Sequence, residues 1–308
     1  MDSDIVDQVR RFNRTVTQRI GALNDAFLSR GRPLGQARLL WEIGPAGCDV
    51  RLLRSRLDLD SGYLSRLLRA LENDGLAAVE QNGADRRIRT ARLTSRGLAE
   101  RAVLDQRSDD AARSILEPLS PRQRTRLAAA MADVERLLLA SAIQVTVRDP
   151  QRPDARSCLR AYFSELARRF DTGFDPALSI SAEDEELTPP AGLLLVATLH
   201  AEPVGCAAVK FHDSAPAEVK RMWVAPAVRG LGLGRRLLTD LEAHAAARQV
   251  RTLRLETNRV LDEAIGLYRA AGYREVAAFN EEPYADHWFE KTLGQSSPPA
   301  PDRPGRAQ

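Results

Sequence analysis

Between Val219 and Leu238 the chain spells a strand, a sharp break and a helix start, and few folds accommodate that order. Val219 to Val224 reads as a strand, and Pro226 stops it, because proline has no N–H for a sheet ladder. Gly230, Gly232 and Gly234 follow at every second position, ahead of a helix expected from about Leu233. Glycines this close together let the backbone turn tightly and approach another molecule without a Cβ in the way. They open onto a helix N-terminus, where free N–H groups and the dipole favour a phosphate. Arg229, Arg235 and Arg236 add positive charge. The stretch reads as a pyrophosphate cradle.

Several cradles share these ingredients. A P-loop needs a Gly-Lys-Ser/Thr ending, and no lysine stands there. A dinucleotide fingerprint has the spacing G-x-G-x-x-G directly after a strand, whereas Ala225 to Val228 intervene here and the spacing is G-x-G-x-G. Glu256 stands about where a ribose-binding acid belongs, so that reading stays open, as does a turn that binds nothing. The pattern Arg229-x-x-Gly232-x-Gly234, approached through Val224-x-Pro226, resembles the acetyl-CoA motif of the GNAT N-acetyltransferases, over about residues 144 to 293. The resemblance implies an α/β fold with a mixed central sheet and acetyl-CoA as cosubstrate. It also implies cofactor contacts from Met222, Val224, Arg229, Gly230, Leu231, Gly232, Leu233, Gly234, Arg235 and Asn258.

At 308 residues the chain is long enough for two domains. It has no run of 18 apolar residues, so no membrane span is expected. Its start, Met1-Asp2-Ser3-Asp4-Ile5, is acidic and lacks the apolar region of a secretory leader. Cys48, Cys158 and Cys206 are odd in number and far apart, which fits a reducing cytoplasm. The four histidines make no metal-ligand spacing with them, and no metal is expected. Charge divides unevenly: residues 1–143 hold 24 Arg and no Lys against 19 Asp and Glu, a net of +5, and the remainder nets −2. A polyanion partner is therefore sought in the first half.

That half reads as helices. Ile5, Val9, Phe12, Val16, Ile20, Leu23 and Phe27 recur at three and four, predicting a helix from Ile5 to Arg30. A second helix is expected over Gln36–Ile43, a third over Val50–Leu57 capped by Asp49, and a fourth capped by Ser61 and running through Asn73. The fourth turns Leu64, Leu67, Leu68 and Leu71 one way and Tyr63, Ser65, Arg66 and Arg69 the other. Two short helices with a tight turn, the second basic on one side, suggest a helix-turn-helix. Leu76–Glu80 and Ile88–Leu93 then alternate around a basic loop, Gln81 to Arg87, as a hairpin wing would. Thr94 caps a long helix to Leu116, and Ser120-Pro121 opens another to about Ala142.

The series Ser61-x-Tyr63-x-Ser65-Arg66-Leu67-Leu68-x-x-Leu71-Glu72-x-x-Gly75-Leu76, then Asp85-Arg86-Arg87, then Leu93-Thr94-x-x-Gly97 resembles the MarR family of winged-helix regulators. The resemblance covers about residues 3 to 143 and implies operator DNA as partner and a homodimer. Ser61, Tyr63, Ser65, Arg66 and Arg69 would face the major groove, and Arg86 or Arg87 at the wing can enter the minor groove. Asp85 reads as a brace for the wing.

In the second half, helices are expected over Asp154–Phe170 and Leu261–Ala271, and strands over Ile143–Arg148, Leu193–Leu199, Val204–Phe211, Thr252–Glu256 and His287–Leu293. Residues 171 to 192 read as an irregular region that the resemblance places over the acceptor, and the Pro- and Ser-rich tail from Gln295 reads as disordered. The expected domains are thus 1–143, 144–294 and a tail of 295–308. Acyl transfer to an amine needs a proton taken from nitrogen and one given to sulfur. Tyr268, ten residues after Asn258, matches the family's general acid and is neutral near pH 7, a free phenol having a pKa of about 10. Glu218, eleven before Arg229, matches the base of some members, others relying on water, and Pro283 to Phe289 is expected near the acceptor. The expected function is a DNA-binding regulator joined to an acetyl-CoA-dependent N-acetyltransferase in the cytoplasm; the alternative is a regulator whose second half only senses acetyl-CoA.

Overall fold

The computed structural model describes residues 3–22, 28, 31–81, 89–171, 173–180, 182–213 and 215–294. It divides into two compact units, Met1–Val134 and Glu135–Gln308. The expected division after Ile143 follows the end of a helix, and the compact units part within that helix. The tail from 295 and the wing loop with Asp85, Arg86 and Arg87 lie outside the described residues.

The first unit contains α1 (Ser3–Arg19), α2 (Leu34–Ile43), β1 (Cys48–Asp49), α3 (Val50–Arg56), α4 (Ser61–Asn73), β2 (Ala77–Gln81), β3 (Arg89–Leu93), α5 (Ser95–Leu116) and the start of α6 (Pro121–Ala142). Side-chain oxygens fix where the helices begin: Asp49 accepts from the Arg51 N–H at 2.6 Å and Thr94 from the Gly97 N–H at 3.0 Å. At α6, Ser120 and Gln123 exchange side-chain-to-backbone bonds as a capping box. Most boundaries fall within two residues of expectation, and two differences have a clear cause. The cap of α4 is Asp60, which accepts from the Tyr63 N–H at 2.8 Å; Ser61 is the first helical residue. And α1 stops at Arg19, well before Arg30, because Gly21 takes φ +67° and turns the chain out of the helix.

The sheet of this unit has the order β1-β3-β2, with the two-residue β1 an addition that sequence periodicity does not predict. Leu39, Leu40, Ile43, Leu53, Leu64, Leu71 and Leu104 are fully buried between the helices and this sheet. Gly97 is required by packing, since a Cβ there would lie 1.9 Å from the Leu76 carbonyl oxygen.

The second unit is built on a seven-stranded sheet in the order β4-β5-β6-β7-β8-β10-β9. Its strands are β4 (Gln144–Arg148), β5 (Gly192–Leu199), β6 (Glu202–Lys210), β7 (Ala217–Val224), β8 (Thr252–Thr257), β9 (Arg274–Val276) and β10 (His287–Thr292). Every neighbouring pair is antiparallel except β7 and β8, so the sheet is mixed. Helix α7 (Pro153–Arg169) covers one face with Ala155, Cys158 and Leu159. Helices α8 (Leu233–Ala247) and α9 (Asp262–Ala270) cover the other with Leu237, Leu241, Ile265 and Tyr268. Burial on both faces explains why Leu193 to Ala197 is an unbroken apolar run. Among the described residues no helix is long and apolar enough to cross a membrane.

One irregularity shapes everything that follows. Cys206 pairs with Trp223 but Ala208 pairs with Lys220, so Arg221 and Met222 together oppose one residue of β6. This is a β-bulge, and Arg221 adopts φ +56° in it, a conformation that disfavours a residue with a Cβ. On the other edge of β7 the parallel pairing with β8 ends at Glu218 and Arg254. Past that point the two strands part.

Candidate active site

The gap between β7 and β8 holds two hollows that share walls at Tyr162, Leu166, Met222, Leu261 and Ala264. One runs to the glycine turn, the other to Tyr268 and Asn258. The splayed strands thus join the cradle to the candidate acid in one cleft.

At the cradle end Gly230 and Gly232 take φ +78° and +79°, and nothing lies within 4 Å of where a Cβ would stand on either. Gly232 is the N-cap of α8, so the unpaired N–H groups of the first helical turn follow it directly. Gly234 is different: a Cβ there would meet Leu267 Cδ2 at 3.1 Å, and its role is close packing of α8 on α9. Met222, Val224, Arg229, Gly230, Gly232, Leu233, Gly234 and Arg235 all line this hollow. Leu231 does not; it packs against the apolar core instead. Open left-handed glycines at a helix N-terminus fit a diphosphate group.

The arginines are held by the protein itself. Arg229 bonds both oxygens of Glu165 on α7 at 2.6 Å and the Val224 carbonyl at 3.1 Å. Burial alone would raise the Glu165 carboxyl, but hydrogen bonds from Arg229 and Trp223 and the Arg229 charge outweigh it and hold it below the usual carboxylate value. Arg235 donates to the Ala270 carbonyl at 2.8 Å, and Arg236 to that of Ile143 at 2.8 Å. Arg229 therefore braces the turn, and the free N–H groups and dipole at the start of α8 favour an anion there.

At the other end Tyr268 is buried, with its ring about 6 Å from those of Tyr273 and Phe289. Burial pushes its phenol well above the ordinary value, so it keeps its proton at any neutral pH. Asn258 lines the same hollow, away from the cradle, and its amide is engaged: Nδ2 donates to the Tyr284 carbonyl at 2.8 Å and Oδ1 accepts from the Val260 N–H at 3.1 Å. It holds the loop after β8. Glu218 does not line the hollow; its carboxylate contacts Lys220 Nζ at 3.0 Å and His212 Nε2 at 3.2 Å. Burial works to raise Glu218, yet the Lys220 charge and bond prevail and lower it, which weakens it as a base.

Two carboxylates do line the hollow, Glu282 and Glu256; Glu256, on β8, is bonded to Lys220 through Oε1. Burial pushes its carboxyl above the usual value although Lys220 pulls the other way. Sequence spacing raised Glu256 only as a ribose ligand. It missed Tyr162, Glu165 and Glu282 altogether, because each enters the cleft from an element distant in sequence. Of the 283–289 segment, Tyr284 and Ala285 reach the hollow; Phe289 is core.

In the first unit, Tyr63, Arg66 and Arg69 are exposed on one face of α4, with the Arg66 guanidinium 5.6 Å from the centre of the Tyr63 ring. Ser61 is also exposed, while Ser65 is half-buried and its hydroxyl donates to the Ser61 carbonyl at 2.7 Å. Arg86 and Arg87 lie outside the described residues.

Comparison with known proteins finds two matched segments. Residues 159–273 match the model of the Acetyltransferase (GNAT) family, and residues 30–88 match that of the MarR family. A curated relative, the "IAA acetyltransferase" of Azospirillum brasilense, is 38% identical over 101 residues, which is 32% of this chain and 65% of that protein. An "Uncharacterized N-acetyltransferase" of Schizosaccharomyces pombe is 29% identical over 130 residues, 39% of this chain and 80% of that one. Among solved structures, wild-type MarR of E. coli in its apo form is 22% identical, with 41% of this chain and 93% of that chain covered at a TM-score of 0.37.

Proposed function

We propose that this chain, with its MarR-family segment ahead of its GNAT-family segment, is an operator-binding regulator that also transfers acetyl from acetyl-CoA to an amine. The observation that carries the transferase reading is the single cleft: an open glycine cradle at one end, a protonated tyrosine at the other, and shared walls between. Acetyl-CoA, when bound, supplies an acyl carbon activated by its bond to sulfur. Gly230, Gly232 and the first turn of α8 would hold its diphosphate, and Met222 and Val224 would line its arm. The chain's residues do the rest. The splayed cleft orients the acyl group, and Tyr268 gives the departing sulfur a proton.

For the first half, the support is the exposed basic face of α4 and the net positive charge. One chain offers one recognition helix, so useful affinity calls for a homodimer. Ile5, Val9 and Phe12 on α1 are exposed apolar side chains of the kind a second copy covers. On this reading the protein works in the cytoplasm.

Calorimetry with acetyl-CoA, followed by thiol release in the presence of amines, tests the enzyme half. Binding with amine-dependent thiol release is expected. Binding without acetylation of any amine hands the second half to the sensor reading. A footprint with two half-sites about one helical turn apart, ~10 bp, is expected from the dimer. Its absence at modest salt overturns the regulator half.

A further inference from the structure

The hollow beside Tyr268 is more specific than acyl transfer requires. Glu256 is only 9% exposed at its side chain, and its second oxygen, Oε2, is buried with no hydrogen-bond partner among the described residues. A buried acceptor left unmet is unfavourable, so the site is incomplete until a donor arrives. Charge states which donor. Lys220 lies between Glu218 and Glu256, so these three groups carry one more negative than positive charge. An N–H donor meets the open oxygen, and a cationic one also offsets the negative excess of this triad, the other charged lining residues, Arg221 and Glu282, balancing each other.

The walls describe the rest of the ligand. Phe170, Phe174 and Tyr284 form a box of rings, with centroids 4.8 to 5.7 Å apart. Rings so arranged receive an apolar or aromatic body and favour a nearby cation. The outer side is tied down. The Asp175 N–H donates to the Tyr284 hydroxyl at 3.0 Å, and Glu282 Oε2 accepts from the Ile180 N–H at 2.6 Å and the Ser179 hydroxyl at 2.9 Å. These bonds fix the loop walls of the hollow, which favours a small molecule over an extended peptide. Nor does it offer a seat for a carboxylate: Lys220 is engaged by two glutamates, and Arg221 donates to the Ala182 carbonyl and stacks on Phe163.

We propose that the acceptor is a small primary amine with an aromatic body and no carboxylate, its ammonium bound by Glu256 and its body by the rings of Phe170, Phe174 and Tyr284. This deepens the transferase reading and rests on it. Glu256 takes one proton from the ammonium and passes it to solvent. The free nitrogen pair forms the C–N bond as the C–S bond breaks. Tyr268 protonates the sulfur, and the second proton lost by nitrogen restores Tyr268. The net change is ammonium plus thioester to amide, thiol and one proton.

The test separates the two readings by measuring amine binding without acetyl-CoA. Phenethylamine, butylamine, phenylalanine and a lysine-bearing peptide are titrated into the full chain by calorimetry, and acetyl-CoA is titrated separately. Phenethylamine should bind most tightly. Its Kd should rise about tenfold or more in Glu256→Gln, the scale of one charged hydrogen bond. A smaller rise is expected in Phe174→Leu, which leaves the carboxylate untouched and guards against a folding defect in the first variant. Tightest binding of phenylalanine or the peptide overturns the proposal, as does a Kd unmoved in both variants. Absent acetyl-CoA binding, with phenethylamine binding still dependent on Glu256, would sink the transferase reading and leave the amine site standing.

Discussion

Arg229 Nη2 lies 2.6 Å from each carboxylate oxygen of Glu165, tying the glycine turn to helix α7. Trp223 Nε1 donates to the same carboxylate at 2.9 Å. Glu165→Gln keeps the shape but removes the charge and presents an amide N–H to donors. Hydrogen bonds to charged groups contribute about 1.5–3 kcal/mol. Arg229 is 38% exposed, so water recovers part of that. The variant should lose ~1–2 kcal/mol in urea unfolding, and its acetyl-CoA affinity should fall because the turn loses its brace. An unchanged midpoint together with unchanged affinity would show that the pair is ornamental.

The same carboxylate sets a pH response. Its folded-state pKa is depressed by Arg229 and Trp223 against the opposing effect of burial. A depressed carboxylate stabilises fully above its unfolded pKa of about 4.3, and that contribution disappears as pH falls through the lower folded value. Wild type should therefore lose melting temperature more steeply than Glu165→Gln below about pH 4.5, while the two run parallel above pH 6. Parallel curves over the whole range would remove Glu165 from the list of acid-labile groups.

What the sequence disclosed follows from range. Helix starts at Val50, Ser95 and Pro121 were legible because their caps are local: Asp49, Thr94 and Ser120 stand beside the N–H groups they satisfy. The glycine turn was legible for the same reason, whereas the mixed sheet was expected only from the resemblance to the GNAT family. β9 was not, since its three residues are all exposed and leave no alternation to read. The Glu165–Arg229 pair spans 64 residues, and no spacing rule reaches that far. The bulge at Arg221 is hidden most deeply, because a positive φ on arginine runs against its own preference and is imposed by the surrounding sheet. The bracing of Arg229 by Glu165 and the place of Glu256 beside Lys220 both rest on contacts of this kind.

Gly232→Val tests the cradle. At φ +79° a β-branched residue is strained, at a cost on the order of 1–3 kcal/mol, and its side chain would occupy the space open to the diphosphate. Acetyl-CoA affinity should fall at least tenfold, about 1.4 kcal/mol, with DNA binding retained. Gly266→Ala is the companion control. Gly266 lies within α9 with nothing near its Cβ position, so that change should stabilise by roughly 0.5–1 kcal/mol without touching affinity. Undiminished acetyl-CoA binding in Gly232→Val would rule the cradle out.

Arg66 tests the DNA face. Its guanidinium is exposed over the Tyr63 ring, which presents it outward from α4. If it reads a base edge, Arg66→Ala should weaken specific binding by ~1–3 kcal/mol and relax preference at one position of each half-site. If it meets phosphate, all sequences should weaken alike and the salt slope should flatten by roughly one. Gel-shift titration at several salt concentrations separates the two, and equal affinity for wild type and variant throughout would take Arg66 out of the interface.

Tyr268 separates an enzyme from a sensor. Its phenol lines the hollow shared with Glu256, and burial keeps it protonated. A positioned acid contributes typically ~10²–10⁴-fold to a proton-transfer step. Tyr268→Phe removes that proton and keeps the ring against Tyr273 and Phe289, so packing should survive. The expected result is a fall of kcat and kcat/KM together on that scale, which marks an interaction made in the transition state. Acetyl-CoA affinity and Tm should stay close to wild type, because the cradle lies at the other end of the cleft. Tyr162 is the alternative donor, since it is half-buried and lines both hollows. If Tyr268→Phe keeps full turnover while Tyr162→Phe loses it, the proton comes from α7 and Tyr268 is a packing residue of α9.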